Sequence, residues 1–171
     1  MLKVFEPISN YHKVVVTGSQ RSGTTICSKM ISHTFKLPLY DEVTFKAHNK
    51  VMFKNLLNKE SFVIQAPGMF KECMSIKDDD VLVVVMKRDI NDIIFSDMRI
   101  GWSSSGENKV ELAKFGLKNL NLHSSVVKMD YFKTHKPKNY LIINYEDLKE
   151  HPLWVDKFNR QNFSAKQTEV K

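Results

Sequence analysis

Eight consecutive residues near the N-terminus have the side-chain types that bind phosphate. They are Gly18, Ser19, Gln20, Arg21, Ser22, Gly23, Thr24 and Thr25. The two glycines let backbone N–H groups turn toward an anion, because no Cβ atom obstructs the turn. An apolar run at residues 14–16 precedes this stretch, and a helical pattern follows it. The sequence therefore predicts a strand, a phosphate-binding loop and a helix whose positive dipole end points at the bound anion.

The loop differs at one position from the loops that bind nucleoside triphosphates, and this position bears on which ligand it binds. Gly18 and Gly23 have the spacing of a Walker A motif, but Thr24 stands where that motif has lysine. The lysine reaches the β- and γ-phosphates of a triphosphate, so its replacement argues against a kinase or an ATPase. The positive charge lies instead at Arg21, inside the loop. A plain strand-to-helix turn with hydroxyl caps is the alternative, and it explains neither Arg21 nor both glycines.

A second cationic position follows the most apolar run of the chain. Residues 81–86 read VLVVVM, a pattern typical of a strand buried on both faces of a parallel sheet, and we expect this strand at the sheet centre. Arg88 follows directly, at the strand end where open parallel sheets bind ligands. Ser96 lies about two turns along the next helix and is expected to reach the same ligand. The alternative for Arg88 is a surface ion pair with Asp89 or Asp92.

Together these motifs resemble the sulfotransferases that use 3′-phosphoadenosine 5′-phosphosulfate (PAPS). Residues 21–25 resemble their 5′-phosphosulfate loop, and the Arg88 and Ser96 pair resembles their 3′-phosphate site. Residues 140–148, YLIINYEDL, resemble the strand and Tyr-Glu-Asp-Leu segment that precede their C-terminal helix. The resemblance implies PAPS as donor, 3′-phosphoadenosine 5′-phosphate (PAP) as product and no metal ion. It also assigns Tyr145, Lys166 and Thr168 to the nucleotide, the last two on a loop that closes over it.

The resemblance extends to the residues that would carry out the transfer. Residues 41–45, DEVTF, resemble the Glu-Val-x-Phe segment that carries the catalytic glutamate of heparan-type sulfotransferases, which assigns the role of general base to Glu42. Arg21 would stabilise the leaving phosphate, and His48 is the second candidate base. The alternative for Glu42 is a solvated acidic residue in a loop.

One position departs from the family pattern. In the relatives, the strand before the proline usually carries a lysine near the reacting groups, whereas here Gln65 precedes Ala66 and Pro67. A glutamine donates hydrogen bonds but supplies no charge. The charge of the leaving group would then be stabilised by Arg21, with Lys46 or His48 as further candidates.

The overall pattern predicts an α/β protein. The 171 residues, 42% of them hydrophobic and 26% charged, fit a single domain over residues 1–171. Strands are expected at residues 13–17, 61–65, 81–86 and 140–144, and helices at residues 24–36, 46–58, 89–99 and 109–134, the last one broken near Gly116. Their alternation predicts a three-layer sandwich around a central parallel sheet of about four to five strands.

Composition and charge limit the kinds of ligand and partner that the protein is expected to bind. The formal charge of +7 suits an anionic ligand or partner, and nucleic acid, an acidic polysaccharide and a nucleotide donor all have that charge. With the resemblance to PAPS-dependent sulfotransferases, the nucleotide donor is expected and a nucleic-acid partner is not. Cys27 and Cys73 lie too far apart for a metal or redox motif and fit a reduced interior. The sequence shows neither a secretory signal nor an apolar run of membrane-spanning length, which predicts a cytoplasmic protein without a membrane partner. Contacts with an acceptor, or within a homodimer, are expected near Trp102 and residues 109–134.

The sequence therefore predicts transfer of a sulfuryl group from PAPS to a hydroxyl acceptor, either a carbohydrate or a small-molecule alcohol or phenol. Two alternatives stay open. A P-loop kinase would have to bind ATP and Mg²⁺ despite Thr24. A non-catalytic nucleotide-binding module would keep the fold without transfer, which Gln65 and the short chain favour.

Overall fold

The computed structural model describes residues 1–101, 106–118 and 121–155. The strands are β1 (Lys13–Gly18), β2 (Leu39–Tyr40), β3 (Phe62–Gln65), β4 (Val81–Lys87) and β5 (Tyr140–Asn144). The helices are α1 (Thr24–Phe35), α2 (Glu42–Phe45), α3 (Lys50–Leu57), α4 (Phe70–Met74), α5 (Ile90–Ile100), α6 (Glu107–Ala113) and α7 (Ser124–Thr134). Short 3₁₀ helices span Lys3–Asn10, Pro67–Met69 and Tyr145–Leu148. Among the helices of these ranges, none is long and apolar enough to cross a membrane.

The five strands form one parallel sheet in the order β2-β3-β1-β4-β5. The predicted parallel α/β sandwich is therefore confirmed, but the middle strand is β1, not β4. Val14 of β1 is in register with Val63 of β3 on one side and with Leu82 of β4 on the other. Both inner strands are buried on both faces, so apolar content alone does not distinguish the centre from its neighbour.

Alternate residues of the inner strands contact two separate apolar cores. Val14 and Val16 face the core that contains Met30 and Ile31 of α1. Val15 faces the opposite core, which contains the aromatic side chains Phe45, Phe53, Phe62, Phe70 and Phe132. Because successive strand side chains point to opposite faces, an uninterrupted β-branched run places helices on both sides of the sheet.

The helices of the second half differ in detail from the prediction. The expected break near Gly116 is confirmed, since α6 ends at Ala113 and Gly116 has a φ of 72°. The apolar spacing within residues 89–99 predicts that Ile93, Ile94 and Met98 face inward. Met98 is instead 68% exposed, because Ile93, Ser96 and Asp97 occupy the buried face of α5.

The helix expected over residues 46–58 begins later and is preceded by a separate turn of helix. Lys46 has a φ of 58°, which ends α2, and the Asn49 side chain accepts a hydrogen bond from the Met52 N–H at the start of α3. The sequence of residues 39–45 predicts a loop or a short extended piece, whereas Glu42–Phe45 form α2. Asp41 caps α2 by accepting from the Thr44 N–H at 2.8 Å.

Each strand ends at a residue of interest. The phosphate-binding loop follows β1, Glu42 follows β2, Pro67 follows β3, Arg88 follows β4 and Tyr145 follows β5. Because all five strands are parallel, these positions lie along one edge of the sheet. The fold thereby gathers residues that are more than one hundred positions apart in the chain.

Candidate functional site

The loop between β1 and α1 requires glycine at both of its ends. Gly18 has a φ of 147° and Gly23 a φ of 97°, and a Cβ atom on Gly23 would lie 2.5 Å from the ring of Tyr145. Between them, the hydroxyl and the N–H of Ser22 both donate to the Ser19 carbonyl, at 2.6 and 3.2 Å. No side chain caps the start of α1. Its N-cap residue, Gly23, has no side chain that could accept from the first N–H groups of the helix, as at helix ends that bind anions.

Two arginines and a serine predicted to bind phosphate meet beside this loop. Arg21 Nε donates to the hydroxyl of Ser96 at 3.1 Å, and Arg88 Nη1 donates to the Arg21 carbonyl at 3.0 Å. The Arg88 guanidinium lies 4.2 Å from the centre of the Tyr145 ring. Arg88 Nε is buried without a hydrogen-bond partner among the described residues. The structure thus brings Arg21, Arg88, Ser96 and Tyr145 together, with a donor of Arg88 left over.

The local charge at these residues is positive. Burial lowers the pKa of the Arg21 guanidinium, the carboxylate of Asp97 raises it, and the cations of Arg99 and Arg88 lower it further. Two other guanidinium groups therefore act on that of Arg21, against one carboxylate among the groups that shift its pKa. Such an arrangement favours a ligand that carries more than one negative charge.

Gln65 connects the loop to the segment that carries Glu42. Its Nε2 donates to the hydroxyls of Thr24 and Thr25, at 3.2 Å each, and its Oε1 accepts from the Glu42 N–H at 3.3 Å. The side chain is buried, with 6% of the residue exposed. Gln65 therefore holds three residues of the site in place without adding a charge.

The carboxylate of Glu42 is held by a backbone group. Its Oε1 accepts from the Gly68 N–H at 2.7 Å. Burial raises the pKa of the Glu42 carboxyl, while the Gly68 N–H and the ammonium of Lys128 lower it in part. A carboxyl with a raised pKa accepts a proton more readily near neutral pH, which suits a general base.

His48 lies on the same side of the sheet but has a different partner. Its Nδ1 is 3.0 Å from the ammonium of Lys114. Since an ammonium can only donate, Nδ1 acts as the acceptor and its lone pair is occupied. The role of His48 as a second base stays a prediction. The role of Lys46 in stabilising the charge of the leaving group also stays a prediction, and its side chain is exposed.

Three charged residues near Glu42 were missed by the sequence reasoning. Lys128 on α7 is fully buried, donates to the Pro67 carbonyl at 3.0 Å and pairs with Glu111 Oε2 at 3.0 Å. Lys114 pairs with Glu111 Oε1 at 2.8 Å and donates to the Gly68 carbonyl at 2.7 Å. Lysines of helices are usually solvated, and nothing in the spacing of α7 distinguishes Lys128 from the exposed Lys133.

A cavity of about 490 Å³ lies between the end of β4 and helices α5 and α7. Ser19 and Arg88 line it beside apolar side chains such as Met86 and Ile93, and this size accommodates a small organic ligand. The hydroxyl of Ser125, which also lines it, is buried without a hydrogen-bond partner among the described residues.

The remaining residues predicted for the site differ in whether the structure describes them. Gln20 is half-buried within the loop. Lys166 and Thr168, and the loop around Trp102, lie outside the described residues. In residues 1–101, 106–118 and 121–155 there is no group of three His, Cys, Asp or Glu side chains suited to a metal ion.

Comparison with known proteins identifies the family. Two solved structures resemble the chain at a TM-score of 0.44 each: an uncharacterized protein from Eubacterium ventriosum ATCC 27560, 12% identical over 93% of this chain and 99% of that one, and a shikimate kinase from Acinetobacter baumannii in complex with shikimate, 13% identical over 99% and 96%. A search of curated protein sequences gives no significant match. The profile of the sulfotransferase domain matches residues 11–155. The chain therefore belongs to the sulfotransferase domain family, whose members transfer sulfuryl groups.

Proposed function

We propose that this protein transfers the sulfuryl group of PAPS to a hydroxyl acceptor, which is a carbohydrate or a small-molecule alcohol or phenol. The observation that carries the proposal is the convergence of Arg21, Arg88 and Ser96 around a glycine-bounded loop at a helix N-terminus. PAPS has phosphate groups at both ends of its ribose, so it matches two neighbouring cationic positions. The loop and Arg21 would bind its 5′ end, and Arg88 with Ser96 its 3′-phosphate.

The transfer step follows from the same placement. Glu42 accepts the proton of the acceptor hydroxyl, and the acceptor oxygen forms a bond to the sulfur of PAPS. The bond between sulfur and the bridging phosphate oxygen breaks, and its electron pair stays on the 5′-phosphate of PAP. The N–H groups of the loop and the Arg21 guanidinium stabilise this developing charge. Gln65 keeps the loop hydroxyls and Glu42 at a set distance from one another.

Two observations support PAPS over a nucleoside triphosphate. Thr24 replaces the lysine that a triphosphate needs, and its hydroxyl is engaged by Gln65. Arg88 follows β4 and donates to the loop at the Arg21 carbonyl, and its Nε is buried without a hydrogen-bond partner among the described residues. A donor with a 3′-phosphate would use that free group.

A second candidate function is nucleotide binding without transfer. It is favoured by Gln65, which donates its hydrogen bonds to Thr24 and Thr25 and brings no cation to the reaction centre. Substitution of Glu42 separates the two functions, because a binding module does not depend on a base.

The two cysteines support an intracellular, reducing location for this enzyme. Cys27 and Cys73 are buried and unpaired, and burial raises the pKa of both thiols, which makes them unreactive. We therefore expect the protein to act in the cytoplasm. A homodimer that completes the acceptor site remains part of the proposal.

Calorimetric titration with PAP, adenosine 5′-phosphate and ATP with Mg²⁺ tests the donor. We expect PAP to bind most tightly, and Arg88→Ala to weaken PAP by about tenfold or more while adenosine 5′-phosphate is nearly unaffected, since only PAP carries the 3′-phosphate. Lys13→Ala is the matched control, because Lys13 pairs with Asp80 at the opposite edge of the sheet and its loss changes the net charge equally. Equal losses for both ligands, or tighter binding of ATP, would contradict the assignment.

A further inference from the structure

The proposed base is adjacent to a buried charge network contributed by α6 and α7. The network consists of Glu111 and Lys114, from α6 and the residue that follows it, and Lys128 from α7. Both oxygens of Glu111 form ion pairs: Oε1 accepts a hydrogen bond from Lys114 at 2.8 Å, and Oε2 lies 3.0 Å from Lys128 Nζ without a hydrogen bond among the described residues. Lys128 is fully buried and Glu111 is 2% exposed. Burial of charged side chains costs a large desolvation free energy, so buried ion pairs of this kind often have a structural or functional role.

The network holds the turn to which Glu42 is bonded. Lys128 donates to the Pro67 carbonyl at 3.0 Å, and Lys114 donates to the Gly68 carbonyl at 2.7 Å. The N–H of Gly68 donates in turn to Glu42 Oε1 at 2.7 Å. The two ammonium groups thus hold the carbonyl groups of Pro67 and Gly68 in place. The peptide N–H between these two carbonyls, that of Gly68, holds the carboxylate of Glu42.

The space at Gly68 is limited by the same contacts. A Cβ atom on Gly68 would lie 2.9 Å from Glu42 Oε1 and 3.1 Å from the Ala47 carbonyl. The turn therefore approaches the carboxylate more closely than any other residue type would permit. A shift of the turn would move Glu42 as well.

Charge balance gives the network a direct effect on Glu42. Lys114 and Lys128 carry two positive charges, and Glu111 carries one negative charge, which leaves one positive charge in excess. An ionised Glu42 balances that excess. The network therefore favours the ionised carboxylate, which is the form that a general base needs at the start of a reaction.

We propose that Lys128 is a positioning residue for Glu42. With Glu111 and Lys114 it holds the turn at Pro67 and Gly68, orients the Glu42 carboxylate through the Gly68 N–H, and keeps that carboxylate ionised. Helix α7 thereby supplies to the turn after β3 a cation that β3 itself lacks at Gln65. This inference rests on the proposed role of Glu42 as the base.

The charged groups around Glu42 act in two directions: the ammonium groups of Lys128 and Lys114 lower the pKa of its carboxyl, and the carboxylate of Glu111 raises it. Lys128, Glu111 and Lys114 act on its carboxyl from α7 and from the end of α6, and Cys73, with which it also interacts, comes from α4. His48 lies behind Lys114. The positive charge of Lys128 opposes the burial that raises the pKa of Glu42, so removal of Lys128 must raise this pKa further.

Carbon-13 NMR of labelled glutamate carboxyl groups measures this effect without any substrate. The resonance of Glu42 is assigned by its absence from Glu42→Gln, and its titration is compared in the wild type, Lys128→Met and Lys133→Met. We expect the midpoint for Glu42 to move upward by about one pH unit in Lys128→Met, since a neighbouring ammonium is lost. The control Lys133→Met should not move it, because Lys133 is exposed on the same helix and pairs with Asp130. Equal midpoints in all three proteins would overturn the proposal.

A second variant guards against loss of the fold. Lys114 is partly exposed, so Lys114→Met is expected to fold and to raise the Glu42 midpoint by removing the other ammonium. In a transfer assay, Lys128→Met should lower kcat by about tenfold or more with PAP affinity unchanged, because a displaced base misaligns the reacting atoms. If sulfated product forms and requires Glu42, but the titration midpoint of Glu42 is the same in the wild type and in the lysine variants, the positioning role of the network is refuted and the proposed function is not. A shifted midpoint without any sulfated product would leave the network standing and refute the proposed function.

Discussion

At the scale of single residues, Gly23 is constrained from two directions. Its φ of 97° is costly for any other residue type, and the ring of Tyr145 occupies the space that a side chain would need. Tyr145 in turn lies under the guanidinium of Arg88. A change at Gly23 is therefore expected to disturb both candidate phosphate positions at once.

Gly23→Ala is expected to lower the free energy of unfolding by about 1–3 kcal/mol, from backbone strain and the collision with Tyr145. It should also weaken PAP binding by about tenfold or more, because the loop that presents N–H groups is displaced. Gly116→Ala is the control, since Gly116 has a φ of 72° but, among the residues that the structure describes, no atom within 4 Å of the added Cβ. Denaturant titration and calorimetry measure the two effects. Unchanged PAP affinity in Gly23→Ala would contradict the placement of the ligand.

Some residues of the site could be predicted from the sequence and others could not. The sequence pattern predicted the loop that contains Arg21, the strand that ends before Arg88 and the helix that carries Ser96. The structure brings these three residues together. Lys128 has no such signal, because its burial depends on the crossing of α7 over the turn after β3. Contacts made by tertiary packing leave no local trace in the sequence.

At the scale of elements, α5 positions Ser96 relative to Arg88. Asp89 is the cap of this helix and accepts from the N–H groups of Asn91 and Asp92 at 2.8 and 3.3 Å. It does not form an ion pair with Arg88, which was the alternative expected for that arginine. The cap fixes where the helix starts, directly after the residue that would bind the 3′-phosphate.

Asp89→Ala is expected to lower the free energy of unfolding by about 1 kcal/mol, through loss of the cap. PAP affinity should fall by a few-fold, roughly in proportion to the fraying of the first turn of α5, whereas Asp89→Asn should restore both properties because asparagine caps equally well. Thermal unfolding without PAP measures the change in stability, and the shift of the unfolding temperature when PAP is added measures the change in affinity. A loss of affinity that Asp89→Asn fails to rescue would point to the charge of Asp89 and against its role as a cap.

The elements themselves were largely predictable, within limits that have physical causes. The strands at residues 62–65, 81–87 and 140–144 are short apolar runs between polar segments, and their positions are confirmed. Which strand lies in the middle was predicted wrongly, since β1 and β4 are equally buried. The separate helix α2, which carries Glu42, was not predicted, because four residues are too few for a periodic pattern.

At the scale of the whole molecule, the parallel sheet concentrates the candidate site at one edge. Gln65 is the last residue of β3, Glu42, Arg88 and Tyr145 follow three other strands, and the loop that carries Arg21 follows the fifth. Parallel neighbouring strands need a crossover connection, and the one between β4 and β5 brings Lys114, which follows α6, and Lys128 of α7 into contact with the turn after β3. The same topology brings the candidate base and the candidate donor site within reach of one side chain, Gln65.

Mass spectrometry of reactions with PAPS and a panel of sugars, phenols and alcohols tests the central proposal most directly. The wild type is expected to give a product heavier by one sulfuryl group together with one equivalent of PAP. Glu42→Gln should lower the rate by about a hundredfold or more while PAP binds with unchanged affinity, because only the base is removed. Absence of sulfated product across the panel, together with no binding of PAP to the wild type, would contradict the account.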